Sequence, residues 1–151
     1  MDDFYKQKII YAETMRVHKG KDCDRFPRFS YSDEEIFLDK TCFIITGQNL
    51  NYILALLNSE LSQYLIRTNV AVLDVGGFLM QKIYIEQLPA PKANLKSRAE
   101  IENLLLMAIK NRNLGLSSIE FEDKIDSLVY SLYGLTNEEV MYIKTILNNA
   151  D

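Results

Sequence analysis

Five cations crowd one short stretch of the sequence. Between Met15 and Ser30 stand Arg16, Lys19, Lys21, Arg25 and Arg28, against the two anions Asp22 and Asp24, a local balance of +3. Such groups neutralise phosphates, and an arginine fork also pairs with the edge of a guanine. The bland reading is a solvated loop, because a run of charge is often no more than a wet face. The same stretch holds His18, the one histidine, beside Cys23 and the two aspartates. All four are metal-ligand types, yet zinc sites want two close ligand pairs and this spacing has none, so no metal and no cofactor is expected. Further on, Gly76-Gly77 can let a backbone approach a phosphate closely, or can simply make a tight turn between strands. Gln81 and Lys82 follow, near enough in sequence to reach the same groove. The candidate nucleic-acid contacts are therefore Arg16, His18, Lys19, Lys21, Arg25, Arg28, Gly76, Gly77 and Lys82, with Tyr31 beside them. Glu122-Asp123-Lys124 contains a Glu-x-Lys pair of the kind that holds a metal in nucleases. It falls inside a helical repeat between Phe121 and Ile125, so it reads as a helix surface and no catalytic residue is assigned.

These residues need a frame. Cys42 to Ile66 supplies its centre: a run read as a buried strand, a turn at Gly47, then a strongly apolar helix. Before it, Lys8 to Thr14 reads as a strand, and 26–31 as a short edge strand, where Pro27 is tolerated. Ile36-Phe37-Leu38 reads as one more strand. Gln48-Asn49 caps the helix, whose apolar stripe runs through Leu50, Ile53, Leu54, Leu57 and Leu61, with an interruption at Asn58-Ser59 that splits it in two. These two polar residues are expected to cap or break the helix rather than to touch a ligand. Val70 to Val75 and Phe78 to Ile85 flank the glycine pair, the second read as a strand returning to the sheet. Leu88-Pro89-Ala90-Pro91 ends the unit, since two prolines two apart forbid both helix and interior strand. Three helices then open at Ser97-x-x-Glu100, Ser117-x-x-Glu120 and Thr136-x-x-Glu139, each a capping-box pattern. Tyr52, Tyr64, Tyr130 and Tyr133 sit on or beside apolar helix faces and read as core. The fold class is α+β: a small mixed or antiparallel sheet packed with helices over residues 1–92, followed by a helical C-terminal tail over 93–151.

Composition sets the outer bounds. At 151 residues, 48% hydrophobic and 25% charged, the chain can bury a core without disulfide staples. The net charge of −4 does not advertise a nucleic-acid binder, so the uneven distribution of charge has to carry that reading. Cys23 and Cys42 have no paired spacing and read as free thiols in a reducing cytoplasm. No signal peptide and no membrane-length apolar run is seen.

In order and spacing, four blocks resemble the TaqI-like C-terminal specificity domain, the target-recognition domain of type II restriction-modification adenine DNA methyltransferases. They are Lys8-Ile9-Ile10-Tyr11-Ala12-Glu13, similar to the family's opening strand; Leu38 to Gly47, similar to its central strand; Leu54-Ala55-Leu56-Leu57-Asn58-Ser59-Glu60-Leu61, similar to its leucine-asparagine-serine helix; and Gly76-Gly77-Phe78 with Leu88-Pro89-Ala90-Pro91, similar to its glycine turn and closing motif, where the family usually has a bulkier residue in place of Ala90. Ile125 to Glu139 resembles the helical segment that often ends such enzymes. Residues 17–35 match no family block, as expected of a segment that encodes target choice. The resemblance implies a domain that reads duplex DNA for a methyltransferase core in the same parent chain or a partner subunit, without catalysis of its own. It also implies help in holding the duplex while an adenine is flipped. The core's Asn-Pro-Pro-Tyr motif and its glycine motif for S-adenosylmethionine are absent from these 151 residues. The other class of reading is a protein-interaction domain that uses the apolar tail helices.

Overall fold

A computed structural model describes residues 2–16, 28–36, 38, 41–73 and 76–149. The architecture is α+β, with two small antiparallel sheets and a helical C-terminal region. One extended run serves both sheets. Its first part, β1 (Lys8–Ala12), is the centre of a sheet ordered β3-β1-β4, with β3 at Ser30–Ser32 and β4 at Cys42–Thr46. Its second part, β2 (Thr14–Arg16), is an edge of a sheet ordered β2-β6-β5, with β5 at Ala71–Val72 and β6 at Gly77–Leu79. Glu13 is the joint. Its N–H donates to Thr41 O at 2.8 Å in the first sheet, and its carbonyl accepts from Met80 N at 2.6 Å beside the second. One residue thus couples the two sheets through backbone bonds on both sides.

Side chains alternate along β1, so Ile9 and Tyr11 share one face and are buried. They pair across to Ile45 and Phe43 of β4, and the Tyr11 ring lies 5.2 Å from Phe29 and 5.3 Å from Phe43. On the other face Lys8 is fully buried, and its ammonium donates to Lys6 O at 2.7 Å and Glu34 O at 2.8 Å. Those bonds meet the requirement that a buried cation be hydrogen-bonded, and they tie the turn after β3 to the sheet. Against the first sheet packs helix α1 (Leu50–Leu57), followed at once by α2 (Glu60–Asn69). Leu50, Leu54 and Leu57 of α1, with Leu61 and Ile66 of α2, are buried, as the apolar stripe requires.

The tail helices α4 (Leu95–Asn113), α5 (Ile119–Leu132) and α6 (Asn137–Asn149) close over this pair. Helix α4 lies against α1 and α5, and both α5 and α6 lie against α2. Each presents buried residues one turn apart: Ile101, Leu105 and Ala108; Ile125 and Val129; Ile143 and Leu147. The Thr136 box forms as expected, with Thr136 N donating to Glu139 Oε2 at 2.8 Å and Glu139 N to Thr136 Oγ1 at 3.3 Å.

Several expectations are corrected. Cys42–Thr46 is half-buried rather than buried, and β1 holds the central place in its sheet. Its continuous apolar run suits a strand covered on both sides, but among the described residues no strand flanks its outer edge. Ile36 and Leu38 lie outside any strand. The strand read over Phe78 to Ile85 stops at Leu79, and Lys82–Ile85 forms a one-turn helix, α3, with Ile85 turned inward. Helix α4 starts two residues before Ser97, capped by Asn94, whose Oδ1 accepts from Ser97 N at 2.8 Å. Helix α5 has Ser118 at its N-cap without a side-chain capping bond. Asn49 sits at the N-cap of α1 in the left-handed region (φ 58°), also without one.

Candidate nucleic-acid interface

Two strand ends frame the basic stretch. On the outgoing side, Arg16 ends β2 opposite Gly77 of β6, while Met15 beside it is buried opposite Phe78. On the returning side, Arg28 is exposed and Phe29 is buried. The two legs run next to each other, since Arg28 N lies 3.5 Å from Met15 Sδ. His18, Lys19, Lys21 and Arg25, together with Asp22, Cys23 and Asp24, lie outside the described residues.

The returning leg is held by a side chain. Asn58, in the one-residue gap between α1 and the cap of α2, accepts from Phe29 N through Oδ1 at 2.8 Å and donates to Phe29 O through Nδ2 at 2.9 Å. The amide satisfies both backbone groups of Phe29, as a neighbouring strand would. Next to it, Ser59 caps α2 by accepting from Ser62 N at 3.2 Å, and its own hydroxyl donates to Leu56 O at 2.7 Å. Glu60 N donates to the buried Asp126 Oδ1 at 2.9 Å, and Tyr130 donates to Glu60 Oε1 at 2.7 Å. Three consecutive polar residues thus face three different parts of the fold: the loop base, the helix start and the tail.

The glycine pair closes a turn beside Arg16. Leu73 N donates to Gly77 O at 2.7 Å and Gly76 N to Leu73 O at 2.9 Å, joining β5 to β6. Gly76 has φ 77°, in the region that favours glycine, and a Cβ there would meet open space. Gly77 is buried, and a Cβ on it would come within 3.2 Å of Thr14 Cγ2. The close approach at Gly77 is therefore to strand β2, as the turn reading has it. Arg16, Gly76 and Gly77 are brought to one end of the second sheet, and Arg28 joins its flank through the contact with Met15. Lys82 is not brought there: β6 carries the chain away from Gly77, and Lys82 sits on α3, 3.3 Å from Glu86 Oε1.

Two hollows flank this frame. One, of about 430 Å³, lies between the returning leg and helices α1, α4 and α5, and is lined by Arg28, Tyr31, Asn58, Arg112, Glu122 and Asp126 among others. In it Arg112 donates to Glu122 Oε1 at 2.7 Å and to Ser118 Oγ at 3.0 Å. The other, of about 390 Å³, is walled mainly by carbon from β4, α1 and α2, with Lys82 of α3 and Glu86 at its C-cap. Near it the Tyr133 hydroxyl donates to Pro89 O and the Tyr52 hydroxyl to Pro91 O at 2.7 Å, so two tyrosines pin the Leu88–Pro91 connection. Burial, with a smaller contribution from Tyr52, pushes the Tyr133 hydroxyl up to about 12. The Glu-x-Lys pair lies on α5, its glutamate bound to Arg112 and Lys124 donating to Glu120 Oε1 at 2.7 Å.

No protein-family model and no curated protein matches the chain. No helix among the described residues is long and apolar enough to cross a membrane.

Asn58 and Ser59 are expected to cap or break the helix, and both do: Asn58 is the C-cap of α1 and Ser59 the N-cap of α2. The pair of bonds from the Asn58 amide to Phe29 is the part that no local pattern announces.

Proposed function

We propose that this chain is a DNA sequence-recognition domain of a type II restriction-modification adenine methyltransferase or restriction enzyme. It binds duplex DNA, sets target choice and leaves the chemistry to a methyltransferase core in the same parent chain or a partner subunit. The cytoplasm, where such DNA lies, is its place of action, and its contacts run through Arg16, the cations of 17–27 and Arg28. The observation that carries this reading is the side-by-side emergence of the two legs of the basic stretch, at Met15-Arg16 and Arg28-Phe29, from a fixed frame. A segment that varies with target needs ends that do not. The ordered sequence blocks that resemble the TaqI-like family supply the duty.

The test is a fluorescence titration of a random-sequence duplex at several salt concentrations. Each phosphate contact contributes about 0.9 to the slope of log K against log salt on B-form DNA. If both arginines meet phosphates, replacing Arg25 and Arg28 by Ala lowers that slope by roughly 1.8. An unchanged slope removes the loop from the interface, and no binding at any salt removes the reading.

A second reading, a protein-interaction domain, is favoured by the exposed apolar side chains around the α4–α5 turn: Leu106, Met107, Leu114, Leu116 and Ile119. A tight dimer in size-exclusion chromatography, unaffected by duplex, would favour it.

A further inference from the structure

We infer that Asn58 is a positioning residue for DNA recognition: its amide fixes the register of the returning leg and thereby the place of Arg28. This inference rests on the DNA-recognition reading above. Strand β3 has only three residues and pairs with β1 through three positions, Lys8 with Ser32, Ile9 with Tyr31 and Ile10 with Ser30. Two of its three side chains are serines, so the hydrophobic pattern specifies its register weakly. A two-residue slip keeps the same face inward and moves every residue by about 7 Å along the strand. That distance is enough to carry a guanidinium from one base pair or phosphate to the next.

Three features resist the slip. Phe29 is buried against Tyr11, Arg28 N meets Met15 Sδ, and Asn58 takes both backbone groups of Phe29. They act together. The amide gives the backbone one fixed anchor, and a slip that offered it Pro27 would lose the N–H bond, since proline has none. A slip the other way would offer it Tyr31, whose N–H and C=O fit as well, and there the buried Phe29 ring beside Tyr11 sets the choice. Asn58 is fixed in turn by the helices on either side of it. The returning leg is therefore anchored to the helical body through Asn58, with the Phe29 ring fixing which residue meets the anchor.

The experiment compares the wild-type chain with N58A and N58D. N58D serves if N58A does not fold, because aspartate keeps an acceptor for Phe29 N–H but cannot donate to the carbonyl while ionised. Amide hydrogen exchange is measured at Phe29 and Ser30, with Val129 of α5 as the reference. Each protein is also put through binding selection on a duplex pool with a randomised centre. Exchange at Phe29 is expected to be about tenfold faster in N58A, the size of one ordinary hydrogen bond, with Val129 unchanged. The salt slope on unselected pool should stay at the wild-type value, because the cations remain, while enrichment of preferred sequences falls. N58D, whose second carboxylate oxygen faces and repels the Phe29 carbonyl, should move the same way. Unchanged exchange at Phe29 overturns the clamp. Faster exchange with wild-type enrichment overturns the positioning role. If the wild-type chain itself neither binds nor enriches the pool, the DNA-recognition reading has failed, and that outcome appears in the wild-type arm alone.

Discussion

Removal of the Asp126 carboxylate should destabilise the whole chain and not its tail alone. Asp126 sits on α5, is 5% exposed, and its Oδ1 accepts from Glu60 N at 2.9 Å across 66 residues. It thus supplies the N-terminus of α2 with a carboxylate from a different helix. A hydrogen bond to a charged group is worth about 1.5–3 kcal/mol, and the helix dipole adds up to about 1 kcal/mol at this end. In D126A the Glu60 N–H loses its partner and a small void opens, so a loss of about 2–3 kcal/mol is expected. With a urea m-value of about 2 kcal/mol/M for a chain of this size, the midpoint should fall by about 1–1.5 M. D126N keeps an acceptor oxygen but not the charge, and should lose about 1 kcal/mol or less. The assay is urea unfolding followed by far-ultraviolet circular dichroism and by tyrosine fluorescence. Coincident curves, both displaced by the same amount, are expected because Asp126 and Tyr130 tie α5 to α2. Two separate transitions, or a D126A shift below about 0.3 M, would refute the reasoning that joins tail and sheet unit into one cooperative fold.

G76A should cost about 1–2 kcal/mol, read as a lower unfolding midpoint, because φ 77° strains any side chain even where a Cβ meets nothing. Tyr133 should make stability fall with alkalinity. Its hydroxyl is pushed up to about 12 in the fold, while the unfolded chain loses that proton near its ordinary value. The favourable contribution is therefore fully present below about pH 10 and lost as pH rises towards about 12, and Y133F should flatten that part of a stability-against-pH curve.

Much of this fold is legible because periodicity reports burial. The stripe through Leu50, Leu54, Leu57 and Leu61 marks a covered face, and α1 and α2 follow it. The break at Asn58-Ser59 is equally visible, since two short polar residues compete with the helix backbone. The edge position of β4 is not visible, because Cys-Phe-Ile-Ile-Thr reads the same whether a neighbour covers its outer side or not. The α3 turn is not legible, because four residues give too short a window for either period. At the candidate interface the sequence marks Arg16, Arg28 and the glycine turn. It places Lys82 with them by proximity along the chain, whereas β6 carries it away. The contacts that hold the site, Asn58 to Phe29 and Glu60 to Asp126, join residues 29 and 66 positions apart. No local pattern encodes such pairs.

Photo-crosslinking to duplex DNA reports which part of the fold meets the nucleic acid. A photoreactive residue is placed in turn at Arg16, at Arg28 and at the exposed Leu95, which lies about 25 Å along α4 from the Arg112 that shares a hollow with Arg28. Crosslinks that weaken as salt is raised are expected from the first two positions, and none from the third. Crosslinks from Leu95 alone, or from no position with duplex in excess, would overturn the DNA-recognition reading.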